Sequence, residues 1–315
     1  MTKLFTDPVL AKCSNRTELA KENPVLGNPD IWFKTGILRK VGIRSVSFDF
    51  FINWSNNILH KNLWLKRPTI ADIDVHSLTD LQVNESLRED KFLELVLFSR
   101  KNKFSASAII YSDYRNWNDQ SHLLHVFWPR EAVDNKYLRI DRVDLLYIKQ
   151  QIITNSGGPV RIGSKGLIYG TSRLECFLSQ GDALWPGDAD LVLLNNDYSP
   201  LAVLEFKKHT KSSRILFEDQ GLGNYYPWPD ARKYDRLKLL SNQINSLTSI
   251  PLFVVYYSIE SNEHRVIVEQ VSGYVGELKA TSKQFFTIDE NNVEVSSEEI
   301  IRYICSKSKP AHTLI

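Results

Sequence analysis

The stretch at residues 187–209, GDADLVLLNNDYSPLAVLEFKKH, constrains the chain more than any other. Two apolar runs, residues 191–194 and 201–204, flank the turn formers at 195–200. Strand, turn and strand is the pattern of a β-hairpin. A turn centred between Asp197 and Tyr198 sets Asp190 opposite Glu205 and Asp188 opposite Lys207. Facing Cβ atoms of an antiparallel pair lie about 5 Å apart. The period of two puts all four side chains on one face.

The remainder of that face carries Leu201 and Val203, and the other carries Ala202, Leu204 and Phe206. Both faces are therefore apolar, as in a central strand. Buried charge is costly unless it is paired or bound to a cation, and two carboxylates this close repel unless a cation or proton lies between them. A hard divalent ion with oxygen ligands suits such a pair. Mg²⁺ takes one or two carboxylates and completes its shell with water and phosphate; Mn²⁺ is the alternative ion.

An aspartate opening one strand, an apolar run, and Glu205-Phe206-Lys207 closing the next resembles the PD-(D/E)XK nuclease superfamily. Asp190 matches the motif aspartate and Glu205-Phe206-Lys207 the tripeptide. Ala189 stands where the motif has proline. The resemblance covers residues 162–270 and lies at the level of the superfamily. It implies an α/β restriction-endonuclease-like core, a mixed central sheet flanked by helices, preceded here by a mostly β region. It also implies a metal held by Asp190, Glu205 and the Phe206 carbonyl, with Glu175 or Asp188 assisting, and Lys207 acting on the attacking water. Gln220, with Tyr225 or Tyr226 after it, is similar to a glutamine–tyrosine motif of some branches, at a different spacing.

Glu175 admits two readings. Ser172 to Glu175 fits a capping box. If the helix instead runs over residues 164–179, Glu175 falls on its apolar face and needs a partner there. The family's acidic residue on the helix before the aspartate strand matches this place.

The chain has 315 residues, 43% hydrophobic and 24% charged, enough for a sizeable core and two domains. The break at 155–159, NSGGP, divides it into an accessory or substrate-binding region at 1–155 and a nuclease-like region at 156–315. No internal repeat is visible. A net charge of +2 neither demands nor excludes nucleic acid. The three cysteines form no metal-binding pair and imply no disulfide framework, so the expected compartment is the reducing cytoplasm. No apolar run is long enough to span a membrane.

In the first region, residues 43–54 and 123–128 read as strands, and 92–98 with 104–111 as a hairpin with a basic tip. A helix is expected near 138–152. Aromatic and basic residues interleave at Trp32 to Lys34, Trp64 to Arg67, Tyr114 to Trp117 and Trp128 to Arg130, a pattern that can stack bases and hold phosphates but more often is core beside solvated charge. After the hairpin, Lys208, His209, Lys211 and Arg214 form a basic rim suited to phosphates. A helix at 230–247, capped by Asp230, carries Arg232 and Arg236 beside its apolar stripe. Strands at 251–258 and 266–271 and a helix at 297–306 complete the chain.

The expected activity is Mg²⁺-dependent hydrolysis of nucleic acid, DNA favoured over RNA and internal cutting over cutting from an end. A second copy or a protein partner is compatible with this reading. The rivals are an inactive nucleic-acid-binding module on the same fold and an interaction protein whose charges form an ion-pair network.

Overall fold

The computed structural model describes residues 4–19, 26–70, 73–88, 91–114, 117, 122–127, 138–161, 166–210, 215–245 and 247–308. In chain order, the first elements are β1 (Ala11–Lys12), β2 (Asn15–Leu19), α1 (Pro29–Trp32), α2 (Thr35–Lys40), β3 (Arg44–Asn53) and β4 (Ile58–Pro68). Next come α3 (Asp80–Arg88), α4 (Phe92–Lys101), β5 (Ser105–Tyr111), β6 (His122–Phe127), β7 (Arg139–Asp144) and α5 (Leu145–Asn155). Then follow β8 (Tyr169–Gly170), α6 (Arg173–Leu178), β9 (Gly187–Leu194), β10 (Pro200–His209) and α7 (Ala231–Gln243). The chain closes with β11 (Leu252–Ser258), β12 (Arg265–Tyr274), β13 (Glu277–Thr287) and α8 (Val293–Ser308). The architecture is α/β, with mixed sheet flanked by helices.

Two compact units share the chain. Unit 1 comprises Met1–Ala20 and Phe48–Asp188, and unit 2 comprises Lys21–Ser47 and Ala189–Ile315. The division runs through β3 and β9 rather than at 155/156, and the break after Asn155 lies inside unit 1. The reason is packing. Leu174, Leu178 and Trp185, which follow that break, join Phe51, Trp64, Ile109, Leu145 and Ile152 in one core. Trp32, Phe33, Ile37 and Leu38, which precede β3, join Leu193, Leu204, Phe253, Ile300 and Ile304 in another.

In unit 2, the strands from β10 to β13 run as β13-β12-β11-β10, with β9 next to β10. β10 and β11 are parallel, and the other pairs are antiparallel. β10 and β11 are apolar on both faces because helices and neighbouring strands cover them. The hairpin register is as the sequence predicts: Ala202 faces Leu193, Val203 faces Val192 and Leu204 faces Leu191. At its tip Tyr198 has φ +65°, and the Asp197 carboxylate accepts from the Ser199 N–H at 3.0 Å, an Asx-type turn. β13 is polar and mostly exposed, so it shows no apolar pattern in the sequence.

Unit 1 has the same plan. β4 pairs antiparallel with β3 and parallel with β5, β5 pairs antiparallel with β6, and β6 with β7; α5 follows as α8 follows β13. The order and direction of strand pairing are thus repeated, although no repeat is visible in the sequence. The region is also more helical than expected. Residues 92–101 are helix α4 rather than a hairpin strand, with Phe92, Leu95, Val96, Phe98 and Ser99 buried at helical spacing. A small sheet, β2-β1-β8, lies in unit 1, and Cys13 forms a disulfide with Cys176 beside it. That corrects the expectation of unpaired thiols and removes the argument for a reducing compartment. No helix among the described residues is long and apolar enough to cross a membrane.

Candidate active site

The site is built on the base of the β9–β10 hairpin in unit 2. The ladder pairs Leu204 with Leu191, and the next residues along the two strands are Glu205 and Asp190. The Phe206 N–H donates to Asp190 Oδ2 at 2.7 Å, which fixes the aspartate against β10. Glu205 is fully buried. Its Oε1 lies 2.8 Å from Lys233 Nζ and 3.4 Å from Lys207 Nζ. Oε2 has no hydrogen-bond partner among the described residues. A buried carboxylate oxygen in that state is costly.

Lys207 donates to Asp230 Oδ2 at 2.7 Å. Its ammonium also lies 4.9 Å from the ring centre of Tyr225 and 5.4 Å from that of Tyr234. Two aromatic faces and two carboxylates therefore hold one cation. Burial, aided by the Glu205 charge, pushes the Tyr234 hydroxyl well above its usual range, so it stays protonated. The Tyr225 hydroxyl donates to Gln220 Oε1 at 2.7 Å, and Gln220 is itself buried. Tyr225 stacks on Tyr256, whose hydroxyl donates to the buried Glu269 at 2.9 Å. The glutamine–tyrosine pair is thus real as a contact, and it forms one wall of the lysine's pocket.

Sequence reasoning missed Lys233, Asp230 as a lysine partner, and the two tyrosine walls. Asp230 reads as a helix cap, yet its side chain makes no capping bond and turns to Lys207 instead. Of the basic residues on α7, Lys233 is the one that meets Glu205; Arg232 and Arg236 are half-buried on the same helix. The signal for Lys233 was its place one turn after Asp230, at the start of the helix that follows the motif strands.

Two further expected ligands, Glu175 and Asp188, are assigned to unit 1. Glu175 lies in unit 1, where α6 begins at Arg173 and Ser172 caps it by accepting from the Glu175 N–H at 3.1 Å. The shorter helix, not the one over 164–179, is formed. Glu175 Oε2 accepts from the Thr171 N–H at 2.7 Å and its hydroxyl at 2.6 Å, and lies 3.7 Å from Lys66 Nζ. Asp188 also belongs to unit 1, where its charge acts on Asp49 and Lys66. Of the basic rim, Lys208 and His209 lie on β10, and His209 Nε2 is 2.9 Å from the Ile215 carbonyl. Lys211 and Arg214 lie outside the described residues, as do Arg115, Trp128 and Arg130 of the interleaved clusters.

Among the described residues, no group of three or more His, Cys, Asp and Glu side chains is gathered closely enough to hold a metal ion. The donors that fit one are Asp190, Glu205 and the Phe206 carbonyl, all hard oxygen ligands. That set suits an ion that completes its shell with water and a substrate phosphate. No family model, curated protein or solved structure matches the chain.

Proposed function

We propose that the chain is a Mg²⁺-dependent nuclease, with Mn²⁺ as an alternative ion and DNA as the favoured substrate, cutting internally at the β9–β10 site. The observation that carries this reading is the buried Glu205, with Oε2 lacking a hydrogen bond, next along the hairpin from Asp190 and two residues from Lys207. Neighbouring carboxylates and a lysine on the same strand face support the PD-(D/E)XK reading, and with it the proposal of a restriction-endonuclease-like core. Asp190, Glu205 and the Phe206 carbonyl would hold the ion, which supplies charge to the scissile phosphate and acidifies a bound water.

The residues then divide the work. Water adds to phosphorus, one P–O bond breaks, and the departing oxygen takes a proton, leaving a phosphomonoester and a hydroxyl. Lys207 orients the attacking water and offsets the charge that grows on the phosphate oxygens. Asp230, Tyr225 and Tyr234 position Lys207. Lys208 and His209 continue along β10 toward the phosphate backbone.

A second reading is favoured by two ion pairs: Lys233 and Lys207 already neutralise Glu205. On that reading the module binds nucleic acid or protein without cutting. The test is cleavage of single- and double-stranded DNA and RNA with Mg²⁺ or Mn²⁺, comparing wild type with Asp190→Asn and Lys207→Ala. Metal-dependent cutting lost in both variants supports the nuclease. Nucleic acid bound but uncut by all three transfers the assignment to the inactive module.

A further inference from the structure

Unit 1 repeats the framework of the proposed site, and the repetition extends to register. Asp49 on β3 faces Trp64 on β4, and Phe50 faces Leu63. On β9 and β10, Leu191 faces Leu204, and Asp190 and Glu205 follow. The same number of residues separates Asp49 from Trp64 as separates Asp190 from Glu205. Leu63-Trp64-Leu65-Lys66 therefore stands where Leu204-Glu205-Phe206-Lys207 stands. The correspondence continues into the parallel strand, where Trp64 faces Ser107 on β5 as Glu205 faces Val254 on β11.

The aspartate and the lysine are kept, but the second carboxylate is an indole. Trp64 is fully buried, edge-on to Phe51 at 4.8 Å and 5.6 Å from Trp185. It is a core residue, with no capacity to ligate a hard cation. Lys66 Nζ lies 3.4 Å from Asp49 and 3.7 Å from Glu175, and donates to the Thr171 hydroxyl at 2.9 Å. An ammonium held between two carboxylates relieves their repulsion as a bound metal would.

We infer that unit 1 is a silenced copy of the unit 2 site, with Trp64 in place of the second carboxylate and the Lys66 ammonium in place of the metal, so that each chain carries one cutting centre and opens a DNA duplex one strand at a time. The inference rests on the nuclease reading of unit 2. Each cut consumes one water and breaks one P–O bond, so a double-strand break requires two separate events.

The experiment counts metal sites and strand breaks on the full chain. Mn²⁺ alone is titrated and counted by electron paramagnetic resonance in wild type, in Asp190→Asn and in the paired variant Asp49→Asn with Lys66→Met, which removes both charges of the buried pair. Supercoiled plasmid is cut in parallel with enzyme below DNA. The expected result is one Mn²⁺ per chain in wild type and in the paired variant, none in Asp190→Asn, and nicked circles that accumulate before linear DNA. Two ions per chain in wild type would overturn the silenced copy while leaving the nuclease intact. No Mn²⁺ and no cutting in wild type would remove both. Circular dichroism checks that the paired variant folds; if it does not, the wild-type and Asp190→Asn counts decide the matter alone.

Discussion

Lys233 Nζ lies 2.8 Å from Oε1 of Glu205, a carboxylate with no exposed surface. The contact joins the first turn of α7 to the motif strand, and it makes the cation at the site partly the protein's own. Whether this ammonium is a guard for the carboxylate or its permanent partner separates the two functional readings.

Lys233 is one of two cations beside the buried Glu205, and its removal leaves the carboxylate with only Lys207, at 3.4 Å, which forfeits part of the stabilisation of a buried pair. Lys233→Ala is therefore expected to melt below wild type in chelator. Under the nuclease reading Mn²⁺ takes over the neutralising role, so added Mn²⁺ raises the variant's Tm more than that of wild type. Equal shifts in thermal melts would mean that the ion does not meet Glu205.

Tyr225 has two separable roles. Tyr225→Phe removes only the hydroxyl given to Gln220 and should cost about 1 kcal/mol in urea unfolding, with kcat within about threefold of wild type. Tyr225→Ala also removes the ring 4.9 Å from the Lys207 ammonium. It should lower kcat by about tenfold or more, since a mispositioned catalytic group loses much of its effect. Similar kcat values for the two variants would show that the ring does not position the lysine.

Asp49 makes stability depend on pH in a specific direction. Burial pushes its carboxyl from 3.8 up to about 7, against the pull of Lys66. The folded state thus holds a proton that the unfolded state has released between those values, and stability falls as pH rises from about 4 to about 7. Lys66 does not reverse the trend. Burial opposes its charge, but Asp49, Glu175 and Asp188 outweigh that and raise its pKa, so it stays protonated through this window. Urea unfolding from pH 4 to 8 should show the decline in wild type and lose that component in Asp49→Asn. An unchanged slope in the variant would assign the effect to other groups.

The Cys13–Cys176 disulfide joins two residues of unit 1 across a sequence separation of 163 residues. Loop-closure entropy assigns such a bridge about 4 kcal/mol. Reduction should lower the unfolding midpoint, and the double Cys→Ser variant should match the reduced wild type. No change on reduction would mean that the thiols are unpaired in solution.

Local rules made the hairpin legible, and what they left out was mostly long-range. Alternation, two-sided apolarity and the turn formers at 195–200 pointed to the register that the structure shows for the hairpin. The same preference for apolar runs misread FLELVLF at residues 92–98 as a strand; burial at helical spacing makes it α4. Glu175 shows the opposite case, in which an N-cap at Ser172 outweighed a longer apolar periodicity, while the Glu175 carboxylate turned to Thr171. The spacing of Asp230 and Lys233 marks the start of a helix, but their partners Lys207 and Glu205 are on β10, which no local pattern reveals. The shared strand order was hidden because few side chains mark it: Trp64 stands on β4 at the register position that Glu205 holds on β10.

The assignment of α2 to unit 2 and α6 to unit 1 bears on how the protein is made. A ribosome releases Trp32, Phe33, Ile37 and Leu38 long before Leu193, Phe253 and Ile300, the residues that will bury them. Unit 1 can close once α6 emerges, but the first segment of unit 2 must wait through the synthesis of unit 1 with its apolar side chains uncovered. A nascent chain of this design is a natural client for a holding chaperone, and a gene split at codon 155 would yield two polypeptides, each lacking part of its own core.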